Sequence, residues 1–539
     1  MKIKRSSTMA WLVAQFIALL VTVPLQHVRA AGPQKVRQAA VAGAFYPADP
    51  KALSAMIDDM LAHASPPSID GPILAAVAPH AGYPYSGPVA AYTYAALKGR
   101  TYSRVVVIAP SHFVAFDFTS VYDGDAYATP LGLVPVDKEF ARKLAKMSST
   151  IRLSTMGHDP TPAGAEHAIE VQLPWLQRVL GNFELVPIVM GDQSYESSRA
   201  LGVALAKLIQ GENKEGDAHG HTLVLASSDL SHYHPYDAAE TIDHKTLHAL
   251  QAWDYFSMSR NFETRIWEAC GGGPIVAAMI AAERMGANQA MVLKYANSGD
   301  TSGDHSRVVG YSADVFVKAQ HGSAVQAPFS LSNQDKSELI ALARKSVEYA
   351  VKQKHAYEPG ANANQDLNQD LGAFVTLTES GVLRGCIGYT SAMKPLYMTV
   401  RDAATLAALR DPRFQPVSAA ELNQLEYEIS VLSPLRRVTD IRQIEVGADG
   451  LLMKNGEHEG LLLPQVPVEQ KWDRQKFLEG TCAKAGLQPD CWKDADTDIF
   501  MFTAVVFGEH KSQAFIPEVS WSPGLLAWQA EPAQGLSPR

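Results

Sequence analysis

The feature that most constrains this fold is an apolar run ending in a polar turn and a histidine, which occurs three times. Residues 73–80 read ILAAVAPH, residues 104–112 read RVVVIAPSH, and residues 222–232 read TLVLASSDLSH. Each run is short and almost wholly apolar, as expected of a strand covered on both faces in a parallel sheet. A fourth run, ELVPIVM at 184–190, ends in Gly191-Asp192. Segments of helical spacing lie between these runs, at 51–64, 89–97, 137–146, 199–209, 239–252 and 275–285. That alternation predicts an α/β domain with a mostly parallel central sheet. In such sheets ligands bind beyond the carboxyl ends of the strands. His80, His112 and His232 are therefore expected to meet at one sheet edge.

A chain of 539 residues exceeds one hydrophobic core, so at least two domains are expected. The stretch 319–335, AQHGSAVQAPFSLSNQD, is small, polar and proline-bearing, and reads as a linker. It separates a first domain at 38–317 from a second at 336–515. The second carries a strand pair at 373–389, a strand at 425–432 and a hairpin at 450–463 about Asn455-Gly456. Helical patterns at 336–351, 399–410 and 472–485 make it a smaller α+β domain. Residues 520–539 read as a loosely structured tail.

At the N-terminus, Lys2, Lys4 and Arg5 precede an apolar segment from Met9 to Val23, followed by Val28-Arg29-Ala30. This is the pattern of a secretory signal peptide over residues 1–30, and it predicts export to the periplasm or cell envelope. A retained N-terminal membrane anchor is the competing reading; after cleavage no stable membrane span is expected. The net charge of −9, with no basic cluster interleaved with aromatics, argues against nucleic acid as a partner. Four cysteines are too few for a disulfide scaffold. Cys482 and Cys491 are spaced to bridge or to stand as two free thiols.

Neutral imidazoles suit iron, copper or zinc, so His80, His112 and His232 are the expected metal ligands. Asp229, three residues before His232, is placed to complete the site or to orient a ligand. In the loop 157–177, the part from Glu166 onward reads as a helix. The i,i+4 relation would then put Glu166 and Glu170 on one face, as orienting groups or alternative ligands, with His167 beside Glu170. His167 and His234 are the candidates for proton transfer. Cys270 precedes a Gly-Gly-Gly-Pro helix start, whose amides lower a thiol pKa, making it a candidate catalytic thiol. An inert cysteine beside a tight turn is the alternative. In the second domain, Arg384 and Cys386 are the binding candidates; alternatively, Gly385 and Gly388 serve close strand contacts beside a small buried Cys386.

Taken together, APHAGYPYSG (78–87), PSH (110–112), EHAIEVQLP (166–174), SSDLSHY (227–233), ACGG (269–272) and YANSGDTSGD (295–304) resemble the Memo-like family. That family shares its fold with the LigB-type class III extradiol dioxygenases. The resemblance implies a three-histidine metal site at His80, His112 and His232, with Asp229 and Cys270 in the pocket. Ser231 stands where the animal relatives have a cysteine. The extradiol enzymes imply Fe(II) and an oxidoreductase acting on a small aromatic substrate. A metal-dependent hydrolase and a non-enzymatic metal, redox or small-molecule binding protein are the alternatives.

Downstream, LRGCIGY (383–389), ALRDPRF (408–414), LEYEISVLSP (425–434) and GADGLLMKNGEHEGLLLPQV (447–466) resemble the AMME-syndrome candidate-protein domain. The pair resembles proteins B and A of the AmmeMemoRadiSam system in one chain. That likeness implies a radical SAM partner, from which export would separate this protein. The chain has no CxxxCxxC motif, so it is not itself the radical enzyme.

Overall fold

The structure is a computed structural model describing residues 35–158, 160, 165–214, 221–320, 330–360, 362, 364 and 366–509. The expected signal peptide at 1–30, the tail at 520–539 and the linker portion 321–329 lie outside the described residues. Among the described residues, no helix is long and apolar enough to cross a membrane.

The first domain contains strands β1 (Val36–Arg37), β2 (Ile73–Ala78), β3 (Arg104–Pro110), β4 (Thr119–Val121), β5 (Ala126–Thr129) and β6 (Gly132–Pro135). It continues with β7 (Ile151–Leu153), β8 (Glu184–Met190), β9 (Thr222–Ser227), β10 (His232–His234), β11 (Gln289–Asn297) and β12 (Val308–Val317). The main sheet runs β10-β12-β2-β9-β3-β8-β4-β7, with β11 also on β12, while β1, β5 and β6 form a small separate sheet. The pairings β2·β9, β9·β3 and β3·β8 are parallel. Those of β12 with β2 and of β4 with β8 are antiparallel. The sheet is therefore mixed, with a parallel centre.

The two-residue strand period sends alternate side chains to opposite layers. Val106, Ile108, Val186, Ile188 and Val224 join a core with helices Tyr195–Lys214 and Gly272–Met285. Val105, Val107, Leu185, Leu223 and Leu225 join another with helices Pro50–His63, Tyr83–Leu97 and Leu173–Leu180. Because both faces are covered, these strands read as continuous apolar runs.

Two expectations need correction. The helix expected at 89–97 begins at Tyr83: Pro84 sits in the first turn, where its missing N–H costs nothing, and Pro88 is accommodated within the helix. The segment from Glu166 is not helical. A 3-10 turn begins at Glu170 and the helix only at Leu173, with Pro174 at its start. Glu166 and Glu170 thus share no helical face.

The second domain is an antiparallel sheet of β13 (Ala373–Glu379), β14 (Val382–Tyr389), β15 (Leu425–Leu432), β16 (Arg436–Arg437), β17 (Asp449–Asn455), β18 (His458–Leu462) and β19 (Asp498–Gly508). Its order is β14-β13-β15-β19-β17-β18, with β16 on β19. Val375, Leu377, Tyr427, Ile429 and Val431 pack in one apolar cluster with residues of helices Asn333–Gln353 and Leu396–Leu409. Cys482 and Cys491 form a disulfide, whereas Cys270 and Cys386 are free.

Candidate metal centre

The parallel centre of the sheet sets β2, β9 and β3 side by side, so their carboxyl ends open on one crevice. His80 follows β2 and His112 follows β3. A third imidazole arrives from the loop before Glu170: the side-chain ligand atoms of His80, His112 and His167 all lie within 4.8 Å of one another. The rings of His112 and His167 stack at 4.9 Å, and His80 meets them edge-on at 5.1 and 5.6 Å.

Hydrogen bonding fixes which ring atoms face inward. Ser227 donates its hydroxyl to the Ala168 carbonyl at 2.6 Å and accepts from Gln172 Nε2 at 2.7 Å. Its remaining lone pair faces His80 Nδ1 at 3.0 Å, so Nδ1 carries the proton and Nε2 is left unprotonated, with a lone pair able to accept a hydrogen bond or bind a metal. Burial, reinforced by the neighbouring histidines, holds the pKa of His80 well below the ordinary value and keeps the ring neutral.

Glu166 orients the His112 ring and holds the backbone at His167. Its Oε1 faces His112 Nδ1 at 3.0 Å and accepts from the backbone N–H groups of His167 and Ala168 at 2.9 and 3.0 Å. Its Oε2 accepts from the His112 amide at 2.8 Å. Burial works against the Glu166 charge, but His112 and these amides outweigh it and hold the pKa at about 2. For His112, burial opposes protonation, yet the hydrogen bond and charge of Glu166 prevail and raise its pKa. Burial, with His112 close by, lowers His167 to about 4.

Asp229 lies beneath the cluster. Its Oδ1 accepts from the His80 amide at 2.7 Å, and its Oδ2 is 4.0 Å from His80 Nε2. Burial pushes its carboxyl up to about 7. Cys270 Sγ lies 3.0 Å from His80 Nε2. The helix starts at Gly272 behind it, but the expected activated thiol is not found: burial, then the Asp229 charge, raise the Cys270 pKa. The protonated thiol is therefore the donor to Nε2.

His232 stands outside the mutual 4.8 Å group, although its charge would still be felt at His80. Burial lowers its own pKa. His234 pairs with Glu268 at 2.9 Å and is not one of the three grouped imidazoles. Glu170 faces elsewhere: fully buried, it pairs with Arg37 and accepts from Ala40 N, Val41 N and Tyr46 Oη. Arg37 in turn donates to the His158 and Glu166 carbonyls, anchoring the loop that presents His167. Ser227, Gln172 and Arg37 escaped the sequence reading. Only Ser227, the last residue of the β9 strand that leads to His232, carried a local signal.

In the second domain, Arg384 binds Glu421 at 2.7 Å and the Gln415 carbonyl at 2.9 Å, tying β14 to that loop. The Cys386 thiol accepts from Thr376 at 3.3 Å, and burial raises its pKa. A Cβ on Gly385 would meet the Ala407 carbonyl oxygen at 2.2 Å, so the strand approaches the helix because this residue is glycine.

A sheet with a parallel centre and a histidine cluster beyond its strand ends, followed by an antiparallel domain, defines a two-domain protein with a candidate metal centre. The profile of the Memo-like protein family matches residues 37–315, and the AMMECR1 profile matches residues 340–507. The MEMO1 family protein MK0963 of Methanopyrus kandleri is 40% identical over 289 residues, spanning 52% of this chain and 98% of that protein. Protein TK0174 of Thermococcus kodakarensis is 46% identical over 181 residues, spanning 32% of this chain and 88% of that protein. Among solved structures, the uncharacterized protein PH0010 of Pyrococcus horikoshii is 42% identical, with a TM-score of 0.33, and covers 34% of this chain and 95% of that one. The chain belongs to the Memo-like family and carries an AMMECR1 domain behind its Memo-like domain.

Proposed function

We propose that the Memo-like domain holds one transition-metal ion on His80, His112 and His167, and that the protein is an Fe(II)-dependent oxidoreductase acting on a small molecule. The observation that carries this reading is the convergence of three imidazoles within 4.8 Å, with Nδ1 of His80 committed to Ser227. Three imidazole donors suit iron, copper or zinc, and iron held there would supply dioxygen activation. His232 borders the group as a fourth imidazole. Asp229, held at about 7 by burial, is a group able to take or give a proton near neutral pH, a role the sequence assigned to His167 and His234. The Cys270 thiol donates to the same His80 Nε2, so metal binding there would displace this hydrogen bond.

The test is oxygen uptake by anaerobically purified, iron-loaded protein against a panel of catechols. Uptake that disappears with the metal supports the reading. Oxygen-independent turnover would replace it with a hydrolase, and metal binding without any turnover with a binding protein. The sequence of residues 1–30 supports export; recovery of the protein only from the cytoplasmic fraction would refute it.

A further inference from the structure

The two domains meet across a surface built like a protein interior. Asp498, at the start of β19, is 3% exposed and gathers three donors from the Memo-like domain. Tyr195 Oη reaches it at 2.9 Å, Arg199 Nε at 2.6 Å and Arg284 Nη2 at 2.9 Å. The polarity then reverses: Glu283 of the Memo-like domain accepts Arg437 Nε of the AMMECR1 domain at 2.6 Å. Further along, Asp370 faces Lys245 at 3.0 Å and accepts from Trp267 Nε1 at 3.1 Å, while Asn261 Nδ2 donates to the Ala392 carbonyl at 2.8 Å.

Between these pairs the two cores merge. The Phe500 ring lies 5.2 Å from Phe256 and 5.9 Å from Tyr255. Leu432, Leu435, Leu452 and Phe502 belong to the same apolar cluster as Met258 and Ile280. Tethered domains ordinarily meet through small polar contacts and move relative to one another. Here charges of both signs on each face are matched by buried or partly buried opposites on the other, which selects one partner and one orientation. The proteins that match each half at 98% and 88% of their own length are separate chains.

We infer that this surface is a docking site for an AMMECR1-type domain that does not depend on the covalent connection. The Memo-like domain binds its own AMMECR1 domain as a partner protein would, and the linker raises only the local concentration. This inference does not depend on the metal or on the reaction.

A specific protease site placed within 321–329 of the full chain tests it. After cleavage of the folded protein, the two fragments are expected to co-migrate in size-exclusion chromatography with light scattering at the mass of the uncut chain, down to submicromolar concentration. Separation of the wild-type fragments at micromolar concentration would overturn the inference. Arg437→Glu is expected to weaken the association by about ten-fold or more, and adding Glu283→Arg to restore it in part. Equal association in the single and double variants would refute the assigned pairing. Circular dichroism of each uncut variant checks that the fold is kept.

Discussion

Replacing Glu170 with glutamine separates two roles that the sequence left together. The carboxylate is fully buried, its Arg37 partner is nearly so, and it accepts from Ala40 N at 2.8 Å, Val41 N at 3.0 Å and Tyr46 Oη at 2.6 Å. The amide keeps the shape and one acceptor oxygen but loses the charge, leaving the Arg37 guanidinium buried against a neutral group. Removing one partner from a buried pair costs about 3–5 kcal/mol, because the surviving charge has lost its water and its counter-ion. The donors that glutamine still satisfies reduce that loss, so Glu170→Gln is expected to lower unfolding stability by roughly 2–4 kcal/mol. Urea unfolding of the first domain, followed by near-UV circular dichroism, reads this directly. In the same variant, metal content per folded chain should match the wild type, because Glu170 lies outside the histidine cluster. A loss below about 1 kcal/mol would refute the reasoning about the buried pair. Loss of metal with the fold intact would return Glu170 to the site.

Two further perturbations follow from the same network. Glu166→Gln leaves His112 without its carboxylate and is expected to weaken metal binding about 10–100-fold with the fold retained, as measured by calorimetric titration; unchanged affinity would remove Glu166 from its orienting role. His158 is buried between Tyr127 Oη at 2.6 Å and the Ser120 carbonyl at 3.2 Å, and burial lowers its pKa from 6.5 to about 3. The unfolded chain therefore takes a proton that the folded chain refuses as pH falls below 6.5, so stability present above that pH is lost on acidification. The loss should reach about 2 kcal/mol at pH 5, and His158→Gln should flatten that part of the stability–pH curve. An unchanged slope would show that His158 is not the titrating group.

Much of the fold was legible because the central strands are buried on both faces and so stand out as uninterrupted apolar runs. The histidine after each of β2 and β3 was legible for the same reason: a strand end beside a parallel neighbour is a fixed place. His167 was harder to place, since its segment reads as helical when spacing alone is considered. Its position comes instead from Arg37, more than a hundred residues away in sequence, gripping the Glu166 carbonyl. No local pattern encodes such a contact. Cys270 illustrates the opposite limit: the glycine-rich helix start is there, but burial, with the Asp229 charge added, overrides it. The contact between domains left no trace in the sequence, because Asp498 and Arg437 look like ordinary charged residues until each meets its partner on the Memo-like domain.

Metal content of the anaerobically purified full chain and of single alanine variants shows whether the three imidazoles form a metal site. The wild type is expected to carry about one equivalent of metal, as for one three-imidazole site. That metal is expected to be lost in His80→Ala, His112→Ala and His167→Ala, with His232→Ala retaining most of it. Folded His80→Ala and His112→Ala proteins that keep their full metal content would contradict the three-imidazole site. Retention in His167→Ala with loss in His232→Ala would move the third ligand to β10.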